Sequence, residues 1–578
     1  MIYHRNFVAR IGWVGLSVVL LLVASPSRAA DPEFDKLVDD YFAAKFDYRP
    51  SDGTAAGLHE YDHRLEDLSL DRTSRRIDEL VKFQQRIAAL KTRKGPGQTT
   101  LQADDAIDLA FLEAQIEAER IDLSVIKESE RNPMVYAVLP GNAVDLLIKR
   151  DFAPRPQRLR AVIAREKRIP AVFDAAKRNV KEPPREFTDL AIRMATGSLG
   201  FFQGPVAVWA REAAGQDERL LAEFHEWNAR VIAAFREFGT WLETELKPRS
   251  KGRYAIGKDL FLAKLKAEEM VEIKLDTLLA RGEANLEKDF QSFVATAKGV
   301  DPNKTPAEVM KSLSDEHPTA QDLIPSVQRS VEAARRYLID RGIVTVPSEV
   351  RPNIEETPPY ARSGSFASMD TPGPYETKAT EAFYYVTPVE KDWDAKHMEE
   401  HLRLYNPPVV AMINVHEAYP GHYLQFLYAK RFPTKVRKLL YCGTNAEGWA
   451  HYCEQMMVDE GFGGGDPKIR LAQLQEALLR DCRYVVGIKL HTQGWTVEQG
   501  AKLFVDKGFQ EPANAYEEAR RGAYNPTYLY YTFGKLEIQK LRDDYRDQKG
   551  GTLRDFHDAF VRQGGLPLPL MRRILLGE

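Results

Sequence analysis

Over most of this chain apolar residues recur at intervals of three and four, the spacing that gathers them on one face of an α-helix. The pattern predicts helices over 72–92, 102–127, 157–178, 217–247 and 261–297, and again over 467–490, 527–549 and 552–563. Breakers separate them: Lys94-Gly-Pro-Gly97, Glu182-Pro-Pro184 and the run Lys247–Gly252. Between 343 and 390 the period changes. Ile343-Val-Thr-Val346 and Ala382-Phe-Tyr-Tyr-Val386 are short and rich in β-branched or aromatic residues, with Pro and Gly clusters between them. They predict two short strands. The expected fold is therefore mainly α with a small β-sheet beside the candidate site. A soft boundary near residue 345 divides an N-terminal helical lobe, 30–345, from a lobe carrying the strands and the candidate chemistry, 346–578. There is no internal repeat.

The N-terminus departs from this pattern. Arg5 and Arg10 precede an apolar run from Ile11 to Ala24, then Ser-Pro-Ser-Arg-Ala-Ala. The run is shorter than the roughly 20 residues of a membrane span. Ser27 and Ala29 supply the small residues of a cleavage site, so 1–29 reads as a secretory signal peptide. The expected location is periplasmic or secreted, with no stable membrane anchor after cleavage. No Cys follows the run, so the pattern is not that of a lipoprotein.

Charge adds little. The 578 residues carry 81 basic and 84 acidic side chains, a net charge of −3, with no basic stripe. Nothing calls for nucleic acid, whose phosphates need clustered cations. Three cysteines, Cys442, Cys453 and Cys482, lie in apolar helical surroundings and are expected to be buried thiols.

The candidate chemistry begins at Val415-His-Glu-Ala-Tyr-Pro-Gly-His-Tyr423. A catalytic zinc takes about three nitrogen or oxygen ligands and keeps one position open. His416 and His422 supply imidazoles. Glu417 supplies a carboxylate able to take a proton from a metal-bound water. The spacing is unusual: residues six apart stand about 240° round an ideal helix, on different faces. Either Pro420-Gly421 bulges and returns His422 to the face of His416, or the two share no metal. Downstream, Glu447, His451 and Glu454 form one helical stripe among Trp449, Tyr452, Met456 and Met457. Glu447 is the expected third ligand, with His451 and Glu454 behind it. Finally, Arg520 to Lys535 contains Tyr524, Tyr528, Tyr530 and Tyr531, any of which could steady a developing oxyanion.

Four ordered motifs carry a resemblance. These are His416–His422, Glu447-Gly-Trp-Ala450, Asp481 to Trp495 and Tyr531-Thr-Phe-Gly534. Together with Arg49–His59 and Phe556–Gly565, they resemble the bacterial domain-of-unknown-function family 885, from about Tyr41 to the C-terminus. That family is similar to helical zinc metallopeptidases with a downstream Glu ligand, large two-lobed folds with a small sheet at the cleft. The resemblance implies Zn(2+) on His416, His422 and Glu447, with Glu417 as general base and Tyr531 as oxyanion donor. It brings Arg483, His491 and Tyr528 toward the cleft, and makes the 382–386 strand an edge to which an extended peptide could add. The chain departs from the family's Pro-Gly-Gln before the Tyr, having Pro526-Thr-Tyr. The implied activity is a metallopeptidase acting on a peptide. A zinc amidase or esterase on a small molecule and an inactive peptide-binding protein are the alternatives.

Overall fold

A computed structural model describes residues 31–93, 101–358, 362, 366–390 and 393–578. The signal peptide expected at 1–29 lies outside the described residues. The described chain is mainly helical, with a single three-stranded sheet.

The helices follow the predicted periodicity, and the exceptions have local causes. Helix Pro32–Tyr48 starts at Asp31, whose carboxylate accepts from the amides of Glu33 and Phe34. It buries Phe34, Leu37, Val38, Tyr41 and Phe42, a stripe at the three-four spacing. The expected helix over 157–178 is two, Arg155–Glu166 and Ile169–Asn179. Pro170 has no amide hydrogen to continue the ladder, so it sits in the first turn of a new helix. The expected helix over 261–297 is also two, Lys258–Glu269 and Leu275–Val300. Met270 ends the first in a left-handed conformation, φ 55°, with its amide on the Lys266 carbonyl.

The sheet differs from expectation in two ways. Its strands are β1 (Asn353–Glu356), β2 (Ala367–Asp370) and β3 (Phe383–Val386). Residues 343–346 form no strand, because side chains satisfy their backbone instead. Asp558 accepts from the Thr345 amide at 2.7 Å, Tyr428 donates to the Thr345 carbonyl at 2.8 Å, and His557 bonds the Ile343 carbonyl at 2.8 Å. The strand expected at 382–386 is β3, and it is the central strand. β1 pairs with it in parallel, Asn353 opposite Phe383, and β2 antiparallel, Ala367 opposite Val386. Both its edges are occupied, so a peptide cannot add to β3 as a further strand.

Buried apolar residues form two large clusters. One draws mainly on residues 134–313 and 471–533. The other joins residues 34–123 to 323–457 and 538–576. Neither divides at 345. Each cluster draws on residues from both sides of 345, so the expected 30–345 and 346–578 units do not correspond to separate cores. Cys442, Cys453 and Cys482 are buried free thiols. Among the described residues, no helix is long and apolar enough to cross a membrane.

Candidate metal centre

Helix Pro407–Glu417 carries His416 and Glu417 in its last turn; helix His422–Ala429 begins on the second histidine. Between them the backbone widens. The Gly421 amide donates to the Val415 carbonyl at 3.0 Å, and the Leu424 amide to the Ala418 carbonyl at 3.2 Å. Each bond spans six residues where an α-helix spans four, so two residues are looped out. Across that bulge His422 occupies the place of a residue four after His416. Their ring centroids stand 4.9 Å apart at 90°. Gly421 is required here, since a Cβ would lie 1.7 Å from the His416 carbonyl oxygen. Trp449, stacked on Phe560, pins the loop by donating to the Pro420 carbonyl at 2.9 Å.

Glu447 comes from helix Gly443–Asp459. A carboxylate from elsewhere caps that helix: Glu269 accepts from the Gly443 and Thr444 amides, both at 2.9 Å, and from the Thr444 hydroxyl at 2.6 Å. A negative charge at a helix N-terminus also meets the positive end of the dipole. The helix crosses Tyr530–Lys549 with glycine on both sides. A Cβ on Gly448 would stand 2.6 Å from Gly534 Cα, and one on Gly534 2.1 Å from the Thr444 carbonyl oxygen.

These elements bring His416, His422 and Glu447 together. Glu447 Oε2 is 3.5 Å from Nε2 of each histidine. One ligand atom from each of the three lies within 4.8 Å of the others, the only such group of three His, Cys, Asp or Glu among the described residues. Behind them, His416 Nδ1 bonds Glu454 Oε1 at 2.6 Å, and His451 Nδ1 bonds the other oxygen at 3.2 Å. Arg480 Nη2 stands 3.2 Å from Glu454, and Nη1 is 2.7 Å from Glu476. Glu454 and His451 are fully buried.

The electrostatics follow from this packing. Burial opposes a charge on Glu454, but Arg480, His451 and His416 hold its carboxyl well below the usual range. Burial likewise opposes charge on Glu447, yet His416 and His422 hold it low. Burial would depress His416, but the bonds to Glu447 and Glu454 push it up to about 10. The point between the three side chains is thus one that draws positive charge. His451, by contrast, is pushed down to about 3 by burial and by Lys535.

Residues 50–575 match a family model described as a bacterial protein of unknown function, DUF885. The chain belongs to this family. Two solved structures share the DUF885 chain's fold. A predicted lipoprotein of unknown function from Shewanella oneidensis is 25% identical, at TM-score 0.78, with 94% of this chain and 99% of that one covered. A predicted lipoprotein from Colwellia psychrerythraea is 18% identical at TM-score 0.79, with the same coverage. No curated protein matches.

The other expected residues of this DUF885 chain divide into near and far. Tyr531 is buried beside the centre, with the Arg480 and Arg483 guanidinium carbons 5.8 and 5.0 Å from its ring centroid. Arg521 donates to its hydroxyl at 3.2 Å. Arg483 is held two-pronged by Glu518, at 2.8 and 2.8 Å, and Tyr528 donates to the same carboxylate. These two are spent on Glu518. His491 is not brought to the centre. It lies eleven residues beyond Arg480 on helix Pro467–Thr492, about 16 Å at 1.5 Å per residue. There it bonds the Gly522 carbonyl at 2.8 Å, and burial pushes it down to about 4. Arg480 and Glu269 were not expected. Arg480 could have been noticed three residues before Arg483, on the same helix face. Glu269 has no local signal, because it caps a helix 174 positions away.

Proposed function

We propose that this chain is a zinc-dependent hydrolase acting on peptides. The observation that carries the reading is the convergence of His416, His422 and Glu447, with Glu454 bonded to the far nitrogen of His416. The donor set fits the ion. Tetrahedral ligands at about 2.0–2.2 Å from zinc stand roughly 3.4 Å from one another, close to the 3.5 Å between Glu447 and each histidine. Two nitrogens and one oxygen leave a position open. Glu454 on Nδ1 fixes the tautomer that leaves the Nε2 lone pair of His416 facing the ion.

When bound, zinc supplies Lewis acidity toward a carbonyl oxygen and an attacking water. Glu417, half-buried and next in sequence to a ligand, takes the water's proton and returns it to the leaving amine. Its charge reaches the Tyr384 hydroxyl, which burial and Glu417 together hold protonated; that hydroxyl donates to Asn414 at 2.7 Å. Tyr531 already accepts from Arg521, so its own hydrogen is free to meet the oxygen on which charge develops. In this reading the two apolar clusters are lobes of a metallopeptidase-like fold. The chain is exported, which the signal-like residues 1–29 and the neighbours described as lipoproteins both support.

The test is the metal content of the purified protein beside His422→Ala, followed by a peptide-library digest. About one zinc per chain, lost in the variant, with cleavage that follows the zinc, is the expected result. No zinc uptake on loading would sink the proposal.

A further inference from the structure

Three guanidinium groups surround Tyr531, and two of them are neutralised. Arg480 meets Glu454 and Glu476. Arg483 meets Glu518. Arg521 has no carboxylate within 4.0 Å among the described residues; its one hydrogen-bond partner there is the Tyr531 hydroxyl. Glu518 is within Coulomb reach, but Arg483 and Tyr528 already take its oxygens. The Arg521 fork lies over the Tyr528 ring, 5.5 Å from its centroid, and is half-buried.

Arg521 is joined to the metal centre through Tyr531, whose hydroxyl it meets at 3.2 Å and whose ring centroid lies 5.8 Å from the Arg480 guanidinium carbon, with Arg480 Nη2 3.4 Å from His416 Nδ1. The neighbouring Tyr530 hydroxyl accepts from Asn525 at 3.0 Å. Burial and Tyr531 raise that hydroxyl above its ordinary value, Arg521 eases it and Glu447 raises it further. It therefore stands within Coulomb reach of both the guanidinium and the third ligand. A partly desolvated cation without a counter-charge is costly. Its two neighbours are each given one, so this charge is kept for a group that arrives.

We propose that Arg521 receives the free C-terminal carboxylate of a short peptide while the scissile carbonyl lies at His416, His422 and Glu447. The planar fork matches a carboxylate in two-pronged fashion. The inference rests on the peptidase reading and narrows it to an enzyme that cuts near a free C-terminus. A competing cation, Lys45, shares a cavity of about 670 Å³ with His422; burial pulls its ammonium below the ordinary lysine value, with Asp52 and Glu119 only within Coulomb reach, so it is the control.

The test compares the tripeptide Ala-Phe-Ala with its C-terminal amide on wild type, Arg521→Lys, Arg521→Gln and Lys45→Gln, all zinc-loaded. Wild type should favour the acid by roughly ten- to a hundredfold in kcat/KM, the worth of a charged hydrogen bond. Arg521→Gln should erase that preference, chiefly through KM on the acid, and Arg521→Lys should restore part of it. If Arg521→Gln instead slows acid and amide alike through kcat, the residue only orients Tyr531 and the proposal fails. It fails too if the preference survives in Arg521→Gln and disappears in Lys45→Gln. Equilibrium binding of the same two tripeptides, measured without turnover, separates this proposal from the one beneath it. Tighter binding of the acid, cancelled in Arg521→Gln, upholds the anchor even if nothing is hydrolysed. Equal binding of acid and amide to wild type refutes the anchor even if peptides are cut.

Discussion

Replacing Glu454 by Gln keeps the shape of the side chain and removes its charge. In the native protein that charge meets His416 at 2.6 Å, His451 at 3.2 Å and Arg480 at 3.2 Å. The amide oxygen can still accept from His416 Nδ1, so geometry survives while the charge-assisted share of the bond is lost. Such a bond contributes about 1.5–3 kcal/mol, against about 1 kcal/mol for a neutral one. The imidazole facing the ion becomes a weaker donor, and zinc affinity should fall by about 10–100-fold. Stability should fall as well, because Arg480 loses one anion; it keeps Glu476 at 2.7 Å, which holds the loss below that of a stranded buried charge. The assay is competition with a chelator of known zinc affinity, at a temperature where circular dichroism shows the variant folded. A folded variant that binds zinc within about twofold of wild type would show that Glu454 merely fills space.

Three further outcomes are expected. Gly421→Ala places a methyl where the His416 carbonyl lies, so it should abolish stoichiometric zinc uptake, read by metal analysis of the soluble fraction. Gly534→Ala forces apart the helices that share Gly448, costing about 1–3 kcal/mol or more and lowering Tm in a thermal melt. Glu417→Gln should retain zinc while cleavage falls by about 10²–10⁴-fold; equal turnover in wild type and variant would remove Glu417 as the base.

Much of this was legible in the sequence, and the reasons for the rest are specific. Helix periodicity is a local property, so the helices were readable. Their breaks at Pro170 and Met270 were not, since the apolar stripe resumes in step beyond each. The six-residue spacing of His416 and His422 left two readings open, because an ideal helix says nothing about a bulge held by Gly421 and Trp449. The stripe Glu447, His451, Glu454 needed only the helical period. Ile343–Val346 has strand composition, but its backbone partners, Asp558, Tyr428 and His557, come from far along the chain. The pairing that makes β3 central was equally hidden, for Asn353–Glu356 carries two acidic residues and little apolar character. His491 was drawn toward the cleft by its motif, but helix rise takes it away.

The cluster that joins residues 34–123 to 538–576 bears on how the protein is made. Helix Pro32–Tyr48 is synthesised early and packs on helix Leu70–Thr92, where Tyr41 meets Phe83, yet the core that both enter is completed only by residues 538–576. Pairings so distant in sequence close slowly, since a long loop must be ordered before any contact rewards it. The chain should therefore spend its assembly with part of this core open to chaperones or to other unfinished copies, and close it only when its final turns dock.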